Sequence, residues 1–162
     1  MARSKGLYGK LTSASRPPKP GSPAFKAWTL ITGVNTWAYR VSGGRLGGSF
    51  DRAPVLLLHH VGRKSGERRV APLLYLPDGE DLVVVASYGG APKNPAWFHN
   101  VKATPETTVE VGREKRPVLA HVATTEERER LWPALLELYP AYADYQARTE
   151  RQIPLVVLSA RP

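Results

Sequence analysis

Val55-Leu56-Leu57-Leu58-His59-His60-Val61-Gly62-Arg63-Lys64-Ser65-Gly66-Glu67-Arg68-Arg69-Val70-Ala71-Pro72-Leu73-Leu74-Tyr75-Leu76-Pro77-Asp78-Gly79 decides how this chain folds. An apolar run, Val55–Leu58, opening a strand expected at Val55–Val61, and a second strand-like run, Arg68–Leu76, flank a short glycine-bounded turn, and Pro77-Asp78-Gly79 closes a second hairpin. The first turn gathers two cations and a hydroxyl, with Arg68 and Arg69 close behind. Glycine permits positive φ and close approach of backbone N–H groups to a ligand, arginine offers a planar fork for phosphate, and lysine adds a compact positive charge. The chemistry calls for an anion, with a solvated basic turn as the plain alternative.

Further strands are expected at Leu82–Ser87, Thr107–Val111, Pro117–Val122 and Leu155–Leu158. Asn94-Pro95 is expected to open a short helix, with Asn94 as cap and Pro95 in the first turn. Thr124 and Glu127 form a capping box for a later helix that Pro133 is expected to kink or restart. Six strands and a few helices make the fold mainly β, a small antiparallel barrel decorated by helices.

The chain has 162 residues and no cysteine, enough for one domain with a real core and no disulfides, thiolate nucleophile or Cys-based metal site. Its net charge of +9 is uneven: residues 1–50 hold eight Lys or Arg and no acid, while the remainder is nearly neutral. Residues 1–23 read as a basic, Pro-rich, loosely attached segment and residues 24–162 as the barrel domain. In Pro23–Arg40 a helix is expected, with Leu30, Val34, Trp37 and Val41 on one stripe beside Phe25 and Trp28. That stripe packs on the barrel or lies in a membrane interface. Apolar segments are too short to span a bilayer and no secretion signal is read, so the expected location is cytoplasmic, with peripheral contact on the inner membrane face as an extension.

His59 and His60 point to opposite faces of a strand and no carboxylate cluster accompanies the four histidines, so no metal site is expected. Ser42 to Gly48 is a glycine-rich loop without the strand and Lys-Ser/Thr of a phosphate loop, and no G-x-S-x-G elbow is present. Tyr139, Tyr142 and Tyr145 share a stripe that serves as an aromatic wall or as plain packing. With the turn at Ser87-Tyr88-Gly89-Gly90, they suggest a phosphate clamp joined to an aromatic pocket, as a flavin-like cofactor requires. Basic charge without a recognition motif gives no nucleic-acid partner.

In order along the chain, Asn35-Thr36-Trp37, Leu46-Gly47-Gly48, Gly62-Arg63-Lys64-Ser65-Gly66, Arg69-Val70-Ala71-Pro72-Leu73, Gly89-Gly90, Lys93-Asn94-Pro95, Trp97, Asn100, Trp132-Pro133, Tyr139-Pro140 and Asp144-Tyr145-Gln146 form a specific set. This set resembles the deazaflavin-dependent nitroreductases, actinobacterial proteins with a six-stranded antiparallel split β-barrel that bind coenzyme F420. The resemblance implies an oxidoreductase passing a hydride from reduced F420 to a quinone, nitroaromatic or activated enone. It implies that Arg63, Lys64, Ser65 and Arg69 hold the phosphate. Val70, Ala71, Pro72, Leu73 and Leu74, with Val85, Ala86, Ser87 and Tyr88, would line the deazaflavin. Ala96, Trp97, Phe98, His99 and Asn100 would border its other side, and Tyr142, Ser87, Tyr139 and Tyr145 would form the catalytic pocket. Ala71, Leu74 and Tyr88 depart from the family's usual asparagine, tyrosine and lysine, and His59-His60 replaces a hydroxyl pair. An FMN reductase of the same fold and a non-catalytic carrier are the alternatives.

Overall fold

The structure, a computed structural model, describes residues 18–19 and 21–161. Of the segment expected to be loosely attached at residues 1–23, residues 1–17 and 20 lie outside them, while Ser22 and Pro23 start the first helix. The elements are α1 (Pro23–Ser42), β1 (Ser49–Phe50), β2 (Ala53–Val61), β3 (Arg68–Asp78), β4 (Asp81–Val85), a single turn at Tyr88–Gly90, α2 (Ala96–Ala103), β5 (Glu106–Val111), β6 (Glu114–Val122), α3 (Thr125–Leu138), α4 (Ala141–Ala147) and β7 (Leu155–Ala160).

All six expected strands form. They follow the order β2-β3-β4-β7-β6-β5, and β5 returns to β2, so the sheet closes into an antiparallel barrel with the two-residue β1 appended to the start of β2. The β4 strand stops at Val85 rather than Ser87 because Tyr88 turns to a left-handed φ of 48°. Its apolar run is continuous because both faces are covered. Leu82, Val84 and Ala86 face the barrel interior with Leu56, Leu58, Val109, Val156 and Leu158. Val83 and Val85 face α3 and α4, against Leu131, Leu135, Tyr142 and Tyr145.

Two local expectations change. Thr124 and Glu127 do form the capping box, with Thr124 Oγ1 accepting the Glu127 N–H at 3.2 Å and Glu127 Oε2 the Thr124 N–H at 2.8 Å. Pro133, however, does not restart the helix: α3 runs on to Leu138, held by buried Leu131 and Leu135 on either side. Asn94 does not cap α2, which starts at Ala96 with Pro95 ahead of it; its Oδ1 accepts from Arg151 Nη1 at 2.7 Å instead.

Helix α1 begins at Pro23, capped by Ser22, and ends at Gly43, whose φ of 64° suits a residue without a side chain. It meets the barrel near its last turn. Tyr39 is buried there, its O–H shared between the carbonyls of Val55 and Glu110 while its oxygen accepts the Gly112 N–H at 2.7 Å. Arg40 adds Nε and Nη2 bonds to Glu110, and His59 Nε2 lies 2.6 Å from the same carboxylate. The expected apolar stripe does not pack on the barrel: Leu30, Val34, Trp37 and Val41 are 70, 59, 66 and 62 % exposed. The packing face is the one carrying Tyr39, half a helical turn away.

Burial of Glu110 alone would raise its pKa, but the bonds from Arg40 and His59 outweigh it and hold the carboxylate below its ordinary 4.5. A depressed carboxylate stabilises the fold above its unfolded pKa, and that contribution disappears as pH falls through the lower folded value. The Glu110 contribution should therefore be lost below about pH 4.5 in the wild type, while Glu110→Gln should lie about 1–2 kcal/mol lower at pH 7 and show a flatter acid limb. Thermal melting across pH 3–7 checks both.

Candidate functional site

The basic turn joins β2 to β3 and is closed by its own backbone. Gly62 N–H donates to the Glu67 carbonyl at 2.8 Å and Gly66 N–H to the Gly62 carbonyl at 2.7 Å. Gly66 has the expected positive φ of 70°, whereas at Gly62 a Cβ would fall 2.4 Å from Ser65 Oγ, and the hydroxyl would have to turn aside. Both glycine N–H groups are thus spent inside the turn rather than offered outward. Arg63, Lys64 and Ser65 are exposed, and Arg69 Nη2 pairs with Glu67 at 2.8 Å.

Beneath the turn lies a hydrogen-bonded chain that no local sequence pattern marks. Asn100 Oδ1 accepts the Arg63 N–H at 3.1 Å, and Asn100 Nδ2 lies 2.9 Å from Nδ1 of buried His60. Burial, then Arg69 and His59, push the His60 pKa down to about 4, so the ring is neutral at pH 7 and Nδ1 accepts from the amide. Asn100 therefore sits under the phosphate-type turn. Trp97 and Phe98 plug the barrel interior with Val101, while Ala96 is exposed and His99 half-buried.

Beyond the turn the barrel wall parts. β3 pairs with β2 from Arg68 to Leu74, then with β4 only from Tyr75 to Asp78. The edge of residues 68–74 thus has no strand beside it on the β4 side among the described residues, and Pro72 lies on that edge, where strand proline is tolerated. Past the last β3–β4 pair, Tyr75 with Val84, the β4 side continues as Val85, Ala86, Ser87 and Tyr88, the second segment expected to line a ring. Along the edge, Ala71 and Leu73 turn to the interior, while Val70 and Leu74 turn outward toward α1, Leu74 also meeting the tyrosine cluster.

Tyr139, Tyr142 and Tyr145 form that cluster, each at most 6 % exposed. Tyr139 and Tyr142 stand edge-to-face with centroids 5.0 Å apart, the hydroxyls of Tyr139 and Tyr145 are 3.4 Å apart, and Phe50 closes on Tyr139 at 5.9 Å. Desolvation by burial raises the pKa of Tyr139 and of Tyr142, with neighbouring phenols adding to it, so both remain neutral hydrogen-bond donors. From Arg68 to Leu74 the strand extends about 20 Å, so cations stand at one end of the gap and neutral phenols at the other. An elongated ligand with an anionic tail and a flat ring fits this layout.

Residues 32–160 match the family described as F420H(2)-dependent quinone reductase. The chain belongs to that family. One Mycobacterium tuberculosis relative named for this activity is 45 % identical over 118 residues, covering 72 % of this chain and 99 % of that protein. Another from the same species, an F420H(2)-dependent quinone reductase, is 40 % identical over 127 residues, covering 76 % of this chain and 85 % of its own length. A solved F420-H2 dependent reductase superposes with a TM-score of 0.61 at 40 % identity, covering 65 % of this chain and 94 % of that one. A chain solved as a domain-swapped dimer gives 0.63 at 35 % identity, covering 85 % of this chain and all of that one. The protein is an F420-dependent reductase, and coenzyme F420 is its cofactor.

Arg63→Ala should weaken F420 binding by about 1.5–3 kcal/mol, the range for a hydrogen bond to a charged group, with little change in melting temperature because the side chain is exposed. Fluorescence titration and a thermal melt check this. Because the folded pKa of His60 is depressed, it favours folding fully above pH 6.5 and loses that contribution as pH falls toward about 4.

Proposed function

We propose that the protein reduces quinones with F420H2, and that nitroaromatics and activated enones are further acceptors. The observation that carries this reading is the parted barrel wall running from the basic turn to the tyrosine cluster. Arg63, Lys64 and Ser65, with Arg69 released from Glu67, would hold the phosphate and tail. The edge of residues 70–74 and the Val85–Tyr88 segment would receive the ring, and Ala96 and His99 would border it from α2.

Reduced F420 supplies a hydride. Adding a hydride to a quinone leaves negative charge on oxygen, and a proton must follow to give the hydroquinone. Tyr142, Tyr139, Tyr145 and Ser87 would supply the hydroxyls on this side of the gap. A buried phenol with a raised pKa donates a hydrogen bond without ionising, and its stabilisation grows as charge develops on the acceptor. The apolar neighbours Val85, Leu74 and Leu155 exclude water around them and strengthen that bond. Tyr142→Phe should keep the ring packing and F420 affinity and lower kcat on menadione by roughly tenfold or more. Steady-state kinetics with a parallel F420 titration test it, and unchanged kcat would move the donor to another hydroxyl.

A peripheral membrane contact is the second part of this reading, supported by the exposed stripe of α1 and the acid-free first 50 residues. No described helix is long and apolar enough to cross a membrane. An amphipathic helix with nearby cations would instead lie in the interface, close to lipid-soluble quinones. Leu30→Ser with Trp37→Ser should reduce pelleting with anionic liposomes, and added salt should weaken what remains. Failure of the wild type to pellet would favour the acidic tail of F420 as the partner of the basic segment.

A further inference from the structure

Arg151 lies between α4 and β7, outside every motif of the sequence, and makes an unusual set of bonds. Nε donates to the Ala91 carbonyl at 2.8 Å and Nη1 to Asn94 Oδ1 at 2.7 Å. Nη2 donates to the carbonyls of Ser87 at 2.8 Å and Ala86 at 3.2 Å. One rigid fork thus spans the segment from the end of β4 to the approach of α2. Its acceptors are all neutral, and no carboxylate pairs with it among the described residues.

The segment it spans is strained. Tyr88, Gly89 and Gly90 have φ of 48°, 61° and 76°, and a left-handed tyrosine persists only where surrounding contacts fix it. The same turn rides on the tyrosine helix: a Cβ at Gly90 would lie 2.5 Å from the Tyr145 carbonyl. The backbone of Arg151 is itself tied to that helix, since its carbonyl accepts from Gln146 Nε2 at 2.8 Å, while Gln146 Oε1 accepts the Ile153 N–H at 2.9 Å. The guanidinium therefore grips the Ser87 turn and the main chain is gripped by α4.

We propose that Arg151 is a positioning residue that sets the spacing between the Ser87–Tyr88 wall and the tyrosine wall of the acceptor pocket. It touches neither cofactor nor acceptor and acts through the turn. Lysine can satisfy one or two of the carbonyls but cannot bridge all four acceptors, because its donors radiate from a single nitrogen. This inference rests on reading the parted wall as the reductase site.

Arg151→Ala and Arg151→Lys, compared with the wild type for F420 affinity, menadione kinetics, melting temperature and amide hydrogen exchange, test it. In Arg151→Ala, exchange should rise at residues 86–94 and 141–147 but not along β2 and β3. The kcat/KM for menadione should fall about 10- to 100-fold, as for a displaced reacting group, with F420 affinity largely kept at the distant basic turn. Arg151→Lys should recover only part of the loss, and millimolar methylguanidinium should restore part of the Arg151→Ala rate. Wild-type kinetics in folded Arg151→Ala, or unchanged exchange at 86–94, overturns the proposal. So does an activity loss that only follows the unfolded fraction and resists rescue. Wild-type protein that neither binds F420 nor reduces menadione sinks the parent reading, and the exchange comparison then decides whether Arg151 holds the turn.

Discussion

Strand β2 is hydrogen-bonded on both sides, to β3 and to β5, and that double pairing closes the barrel. Closure satisfies the backbone groups that an open sheet would leave at its edges. β3 changes partner along its length, from β2 at one end to β4 at the other, and this is where the wall can part without breaking a ladder. A flat ligand can approach strand edges there while the interior stays filled by Leu56, Leu58, Val84 and Trp97. The parting of the wall is thus a consequence of register, and the core packed behind it is filled.

Charge is distributed along the gap in a way that suits its chemistry. At the wet end the cations are exposed, so they keep their hydration and carry little burial cost. At the dry end the tyrosines are desolvated, which favours the neutral phenol. His60, buried beneath the cations, is neutral for the same reason and spends its lone pair on orienting Asn100. Desolvation therefore keeps the proton on the phenols and off the imidazole, because in each case burial penalises the ion.

The turn at Tyr88 concentrates the fold's strain beside the gap. Left-handed φ at a bulky residue is unfavourable on its own, and here it is over-determined from two directions, by the fork of Arg151 and by the carbonyl of Tyr145 beneath Gly90. Helix α1, by contrast, is fixed mainly through Tyr39 and the Arg40–Glu110 pair near its C-terminal end. Its exposed stripe remains free to meet something outside the barrel.

Much was legible in the residues. Six strands follow from apolar runs bounded by glycine, proline and aspartate, because alternating or doubly covered pleats demand such runs. The basic turn, the tyrosine stripe and the Thr124 cap are local features, and local chemistry sufficed to find them. Asn94 has the local pattern of a helix cap, but its partner, Arg151, is 57 residues away. The stripe of α1 could be read from its spacing but not whether a surface awaited it, and His60 and Glu110 gained their roles only through neighbours on other strands. The sequence by itself determined the strands, the turns and the kinds of ligand chemistry available. Tertiary structure alone decided where β3 leaves β2 for β4, which side chains lose water, and which distant groups hold the Ser87 turn, because register, burial and long-range hydrogen bonds exist only once the barrel has closed.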